Sequence, residues 1–386
     1  MDFLGALTSV TSSLAVTIPA FLFVLTVVVF IHEMGHFLVG RWCGVGVEAF
    51  SVGFGPELVG FTDRRGTRWK LSAIPLGGYV KFVGDQNAAS TPDADELATM
   101  SAAERAVSFH HKPVWKRAAV VAAGPVANFL LAITLFTGLT YVAGRYVVEP
   151  RAEAVAPGTA AERAGFQPGD VVRSINGRAV KSFDDLRRIV SARARDTLVF
   201  EVDRGGQPVT LTATPDLFED NTPFGKQRIG RLGLRGPDAK EARRETYGLG
   251  ESLSYGLFET YYVVERTVDY IGKLVVGRES ADQLSGPIRI AQVSGKVATL
   301  GGLAALVGLI AVLSVSIGLI NLVPVPMLDG GHLLFYAVEA VRGRPLSDRA
   351  QEIGLRIGLA LVLMLMLFAT WNDLLHLGAQ WNAGRT

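Results

Sequence analysis

Apolar residues in this chain gather into blocks instead of spreading evenly. Four blocks stand out, from Ala15 to Val39, Ala118 to Ala143, Leu303 to Val323 and Ile357 to Trp371. A helix needs about 20 apolar residues to cross a hydrocarbon core of ~30 Å. The first three blocks reach that length. The last is short, but Arg356 can snorkel at one end and Trp371 can sit in the interface at the other. The pattern predicts a polytopic membrane protein with four transmembrane helices.

Between the blocks the periodicity changes. Trp69–Ile74 and Tyr79–Val83 alternate in the manner of strands around Pro75, Gly77 and Gly78, which predicts a β-hairpin turning at those residues. An exposed edge there can pair with an extended peptide by strand addition. From 150 to 237 the chain reads as soluble. The strand DVVRSI closes at Asn176-Gly177, Ser182 caps a helix with apolar positions Phe183, Leu186, Ile189 and Val190, and the strands TLVFEVDR and QPVTLTAT meet at Gly205-Gly206. From 247 to 276, Leu249, Leu253, Leu257, Tyr261, Val264, Val268, Ile271 and Leu274 recur at helical spacing, which predicts an amphipathic helix lying on the membrane surface. Four segments follow. Residues 1–149 hold the first two spans and the hairpin loop, 150–237 a soluble domain, 238–300 an amphipathic linker, and 301–386 the last two spans.

Composition sharpens this picture. The chain has 386 residues, 49% of them hydrophobic, and a net charge of +2, which argues against nucleic acid as a partner. Arg41, Lys112, Lys116 and Arg117 flank the connection between the first two spans, and Arg342, Arg344, Arg349 and Arg356 follow the third. Positive charge concentrates on the cytoplasmic side, so both connections read as cytoplasmic. The two termini and the soluble domain are then external. MDFLGALTSV has no basic n-region and the first apolar run is long, so that span reads as retained rather than cleaved. Cys43 is the only cysteine, which excludes an internal disulfide.

Candidate chemistry lies inside the first span, at HEMGH. Charged side chains at the bilayer centre cost about 2.5–3.5 kcal/mol even on insertion scales, so an intramembrane Glu33 calls for a partner. Positions i and i+4 share a helix face, so His32 and His36 can converge on one ion, with Glu33 beside them. Zinc held by two imidazoles and a carboxylate keeps a fourth position for water. Among the other histidines, His110 and His111 lie in an interfacial run and His376 follows the last span. The better third ligand is Asp329 in NLVPVPMLDGGH, where prolines break a lipid-compatible helix. Irregular backbone at membrane depth is tolerated only where it is buried or lines a cavity. His332 reads as a helix-start or interfacial residue rather than a ligand.

HEMGH on the first span, GPVANF on the second and NLVPVPMLDG on the third resemble the site-2 protease family of intramembrane zinc metalloproteases. FSVGFGP and IPLGGYVKFVGD are similar to its bacterial branch, the regulator of sigma-E protease group. Residues 150–237 resemble a PDZ domain, inserted as an α+β module and present once where several relatives carry two. The resemblance implies zinc ligands His32, His36 and Asp329, a catalytic Glu33, and Asn321 binding substrate backbone. It implies that Gly77 and Gly78 belong to a membrane-associated β-hairpin that holds substrate extended. It further implies a multi-pass protein of the bacterial inner membrane acting on single-span substrates of the anti-sigma factor type after a first external cut, with some members clearing signal-peptide remnants.

Two other readings compete. One is a catalytically silent membrane scaffold whose PDZ domain recruits partners. The other is a membrane zincin of another family, which takes its third ligand from a Glu on a later helix.

Overall fold

A computed structural model describes residues 3–87, 94–222, 225–277, 281 and 285–383. The chain divides into two compact units. One comprises Met1–Thr137, Leu253–Thr267 and Ser285–Thr386, the other Gly138–Ser252 and Val268–Leu284.

The first unit is built on helices. α1 (Phe3–Trp42) leads into a β-ribbon of β1 (Val47–Thr62) and β2 (Arg68–Phe82), followed by the short α2 (Ala94–Thr99) and α3 (Ala102–Val107), then α4 (Val114–Ala143). Four helices have segments long and apolar enough to cross a membrane: 14–42, 114–143, 287–321 and 349–378. Each extends past its apolar block on at least one side, although the third stops at Asn321, short of Val323. The third begins well before Leu303 and bends at Gly302, whose φ of 60° and ψ of −155° lie outside helical space. Val24 and Val28 of the first helix pack with Ile310 of the third, flanked by Leu131, Leu135 and Leu313. Small residues permit close contact between helices, as membrane packing requires. A Cβ on Gly35, for example, would overlap the main chain of Ala123.

The ribbon departs from the sequence reading. Trp69–Ile74 and Tyr79–Val83 do not form two strands turning at Pro75, Gly77 and Gly78; apart from Val83 they lie along one strand, β2, whose antiparallel partner is β1. The turn lies at 63–67, where Asp63 Oδ1 accepts from the N–H groups of Arg65 (2.8 Å) and Thr67 (3.0 Å), and Gly66 supplies a φ of +87°. Asp and Gly are the usual turn formers. Pro75 and the two glycines mark irregularity within a strand instead, a role Pro and Gly take at edges and bulges. Ala49–Val52 faces 78–81 on one side and 68–71 on the other, so the ribbon curls on itself. Phe50 at its centre is buried against Phe37 and Trp69.

Besides a 3-10 turn at Ala239–Glu241, the second unit carries the remaining strands and two short α-helices. In chain order these are β3 (Arg145–Val147), β4 (Ala154–Val155), α5 (Ala160–Arg163), β5 (Val171–Ile175), β6 (Arg178–Ala179), α6 (Phe183–Ala192), β7 (Leu198–Arg204), β8 (Gln207–Ala213), β9 (Asp216–Thr222), β10 (Gly225–Arg231), β11 (Leu234–Arg235) and β12 (Arg243–Glu245). Four of them make an antiparallel sheet in the order β6-β5-β7-β8, with two-stranded pairs β9–β10, β4–β11 and β3–β12 beside it. Ser182 opens α6 through a capping box with Asp185, as its sequence indicates. Val172, Ile175, Leu186, Val190, Leu198, Phe200 and Val202 form the core. Inward positions alternate along β7, the period a half-buried strand demands.

α7 (Leu249–Val275) spans the amphipathic stretch. α8 (Pro287–Asn321), α9 (Asp329–Arg342) and α10 (Asp348–Ala383) complete the chain. A non-helical connection, 322–328, separates α8 from α9, and Met327 within it adopts a φ of +88°. Such a conformation is costly for a residue with a Cβ and clusters at functional sites.

Candidate metal centre

The helical repeat of α1 places His32 and His36 on one face, both buried, with Nε2 atoms 3.2 Å apart. Asp329 opens α9, where a carboxylate is favoured by the helix dipole. Its Oδ2 lies 3.2 Å from His32 Nε2 and its Oδ1 lies 3.5 Å from His36 Nε2. Among the described residues these three are the one set of His, Cys, Asp and Glu whose ligand atoms converge, all within 4.8 Å of one another.

Geometry decides what such a cluster can hold. Zinc bonds of about 2.0–2.1 Å to nitrogen and oxygen place tetrahedral ligands about 3.3–3.4 Å apart. The two Nε2 atoms, 3.2 Å apart, lie close to that edge, and Asp329 turns one oxygen to each ring, Oδ2 at 3.2 Å and Oδ1 at 3.5 Å. Asp329 Oδ2 is buried without a hydrogen-bond donor, which suits an atom aimed at a cation. His36 Nδ1 donates to the main-chain oxygen of Val120 at 2.9 Å, so its Nε2 is the bare nitrogen. Two imidazoles and one carboxylate leave a fourth position open, the arrangement of hydrolytic zinc sites.

Glu33 is buried beside this cluster at 9% exposure. The ribbon reaches it through Gly78, where a Cβ would come within 2.9 Å of both Glu33 Cγ and Val29 Cγ1. Gly78 is therefore at the site because nothing larger fits between β2 and α1. Gly77, whose φ is +141°, lies against the Phe54 ring instead. Asn321 is the last residue of α8, half-buried, and its side chain makes no hydrogen bond among the described residues.

The other described histidines stay outside this cluster. His110 pairs with the buried Asp85 at 2.8 Å, His111 lies 3.1 Å from Ser108 Oγ, and His376 lies near the end of α10. His332 follows Asp329 on α9 and lines a cavity of about 210 Å³ with His110, Arg117, Tyr336 and Glu339. The Arg117–Glu339 ion pair, 2.6 Å long and mostly buried, ties α9 to the start of α4.

Several residues of the site give no catalytic signal in the sequence. A Cβ on Gly124 would run into both imidazoles, so α4 can lie against the pair only with glycine there. Asn128, one helical turn further along α4, meets His32 Nδ1 at 3.3 Å. On α10, Gly358 abuts the main chain of Pro326 and so supports the connection that carries Asp329. GPVANF signalled α4 only through family resemblance. Nothing in the sequence pointed to Gly358, because its partner lies on a different element.

Comparison with known proteins agrees with this geometry. The family model described as Peptidase family M50 matches residues 20–365. A protein of Rhizobium meliloti (strain 1021), provisionally named a zinc metalloprotease, is 54% identical over 364 residues, covering 94% of this chain and 97% of that protein. A similarly named protein of Agrobacterium fabrum is 52% identical over 359 residues, covering 92% and 95%. Metalloprotease MmpA of Caulobacter vibrioides is 44% identical over 381 residues, covering 93% and 95%.

Proposed function

From the premise that the chain belongs to peptidase family M50, we propose that it cleaves transmembrane segments of single-span substrates in regulated intramembrane proteolysis. The protein is a zinc-dependent metalloprotease with four apolar helices that suit a multi-pass membrane protein. The observation that carries the finer reading is the convergence of His32, His36 and Asp329 beside Glu33 on helices that can span a bilayer.

In this reading His32, His36 and Asp329 hold the zinc and Glu33 is the catalytic residue. When bound by these residues, zinc would supply Lewis-acid chemistry, making water more acidic and polarising the scissile carbonyl. Glu33 accepts a proton from the attacking water as the carbon–oxygen bond forms. It returns that proton to the amide nitrogen as the carbon–nitrogen bond breaks, so that an amine leaves. The amide of Asn321 hydrogen-bonds the substrate backbone near the scissile bond.

A transmembrane helix offers its carbonyls to its own N–H groups, so it must unwind before it can be cut. The extended backbone then needs partners at a depth where water is scarce. β2 passes Glu33 at Gly78, and pairing of substrate with the β2 edge at Gly77 and Gly78 would satisfy those groups.

The second unit would serve as a PDZ domain. A groove of about 320 Å³ between α6 and the β10–β11 region, lined by Phe183, Leu186, Val190, Ile229 and Leu232, supports peptide docking there. The positive-inside pattern supports an inner-membrane protein with both termini and this domain external. Anti-sigma factors released by a first external cut are the substrate class suggested by the resemblance to the sigma-E branch. An intact ligand set and base argue against a silent scaffold.

Replacing Glu33 with Gln tests the reading. The variant should keep its zinc while uncut membrane fragments accumulate in cells, identifiable by proteomics of the membrane fraction. If cells expressing Glu33→Gln clear every such fragment as the wild type does, the chain is not acting as this protease.

A further inference from the structure

The two imidazoles of the centre turn their second nitrogens toward one helix, α4. For His36 the partner is Val120 O at 2.9 Å. A carbonyl only accepts, so the ring carries its proton on Nδ1. His32 must adopt the same tautomer if its Nε2 is to face a cation. Its Nδ1 lies 3.3 Å from the side-chain amide of Asn128.

Asn128 is fully enclosed, at 0% exposure. An asparagine at this depth is commonly a bond between helices. Here the link from α4 to α8 uses the main-chain oxygen of Asn128, which accepts from Ser314 Oγ at 2.9 Å and would be present with any residue. The amide side chain has His32 as its partner, and its Oδ1 is buried with none. The two amide atoms are told apart only by their hydrogen bonds. Turning the amide over presents Oδ1 to His32 Nδ1 and sacrifices no bond, because the displaced oxygen had no partner.

We propose that Asn128 is a positioning residue for His32: its Oδ1 accepts the Nδ1–H, fixes the ring's tautomer and rotation, and so directs Nε2 at the zinc. The inference rests on the reading of His32 as a ligand. α4 then supplies the outer partner of both histidines, a main-chain oxygen for one and an amide for the other. Outer partners of this kind raise the basicity of the ligand nitrogen, and losing one typically weakens metal binding about 10–100-fold.

The test compares full-length wild type, Asn128→Leu and Asn128→Asp in detergent. Zinc affinity is measured by competition with a chromophoric chelator, and the Co2+-substituted absorption spectrum reports ligand geometry. Leucine matches the shape of asparagine but accepts nothing, so zinc binding should weaken about 10–100-fold. Aspartate is an acceptor and should restore affinity to within a few-fold of wild type, with a wild-type-like Co2+ spectrum. Should the Leu protein fail to accumulate, Asn128→Ala carries the same expectation. Unchanged affinity in the Leu or Ala variant overturns the proposal. So does an Asp variant as weak as Leu, which would mean that packing rather than hydrogen-bond acceptance matters. A wild-type protein that binds no zinc would instead overturn the ligand assignment itself.

Discussion

His32 and Asp329 meet at 3.2 Å although one lies on the first helix and the other opens the ninth. Neither residue can hold a metal alone, and both lie in the first compact unit, whose helices must pack before they meet. Zinc binding should therefore be a property of the assembled membrane unit and not of the HEMGH helix by itself.

Asp329→Ala should drop bound zinc from one equivalent to a trace and abolish proteolysis, as read by metal analysis of the purified protein. Two imidazoles without the carboxylate leave an incomplete hydrolytic site. Zinc content unchanged by this substitution would point to a ligand elsewhere, as in zincins that use a later Glu.

Gly78→Ala should separate binding from catalysis. The added methyl would sit 2.8 Å from Ser51 O and 2.9 Å from Glu33 Cγ, forcing β2 and Glu33 apart. A displacement near 1 Å can cost about 100-fold in rate. Activity should fall by about that factor in a reconstituted cleavage assay, with zinc content retained. Gly138→Ala, where an added Cβ meets nothing within 4 Å, is the matched control and should leave activity unchanged.

Gly358→Ala should act on the site from a distance. Its Cβ would overlap the main chain of Pro326, which cannot rotate out of the way as a side chain could. Overpacking of this kind costs about 1–3 kcal/mol. Both the thermal midpoint and zinc affinity should fall together, because Asp329 follows that loop. A variant with wild-type values for both would show that the loop relaxes freely.

The second unit carries a pH dependence of its own. Burial alone would raise the Asp170 carboxyl, but hydrogen bonds from Arg204 and the Gln167 N–H outweigh it and hold the group below the usual carboxylate range. Arg204 grips both oxygens, at 2.7 and 2.8 Å. The folded carboxyl is thus a stronger acid than the unfolded one, near 3.9. Its contribution is fully present above about pH 4 and is lost as pH falls through the folded value. Asp170→Asn should lower the thermal midpoint of this unit near neutrality, because Arg204 and the Gln167 N–H lose a charged acceptor. In thermal unfolding followed against pH, the gap between variant and wild type should close on acidification below pH 4.

Much of this was legible in one dimension. Apolar blocks announced four helices because a bilayer demands continuous hydrophobic length, and that demand is written locally. The cap at Ser182 and the strand β7 were readable for the same reason: a helix start and a short strand are set by residues close in sequence. Pro75, Gly77 and Gly78 misled, since turn formers also serve inside irregular strands. The real turn at 63–67 was written just as plainly in Asp63 and Gly66, but it pairs the strand with residues upstream of the alternating runs.

By itself the sequence determined the four long apolar helices and the pair His32 and His36 with its neighbour Glu33, since helix periodicity alone puts that pair on one face. It also marked Asp329, through the prolines that break a helix where lipid forbids bare backbone. Only the tertiary structure decided that Asp329 reaches both imidazoles, that β2 touches Glu33 through Gly78, and that Val120 and Asn128 of α4 stand behind the two histidines. Those relationships depend on how closely separate helices can approach. That distance is set by small residues on facing surfaces, which carry no chemical signal until their neighbours are known.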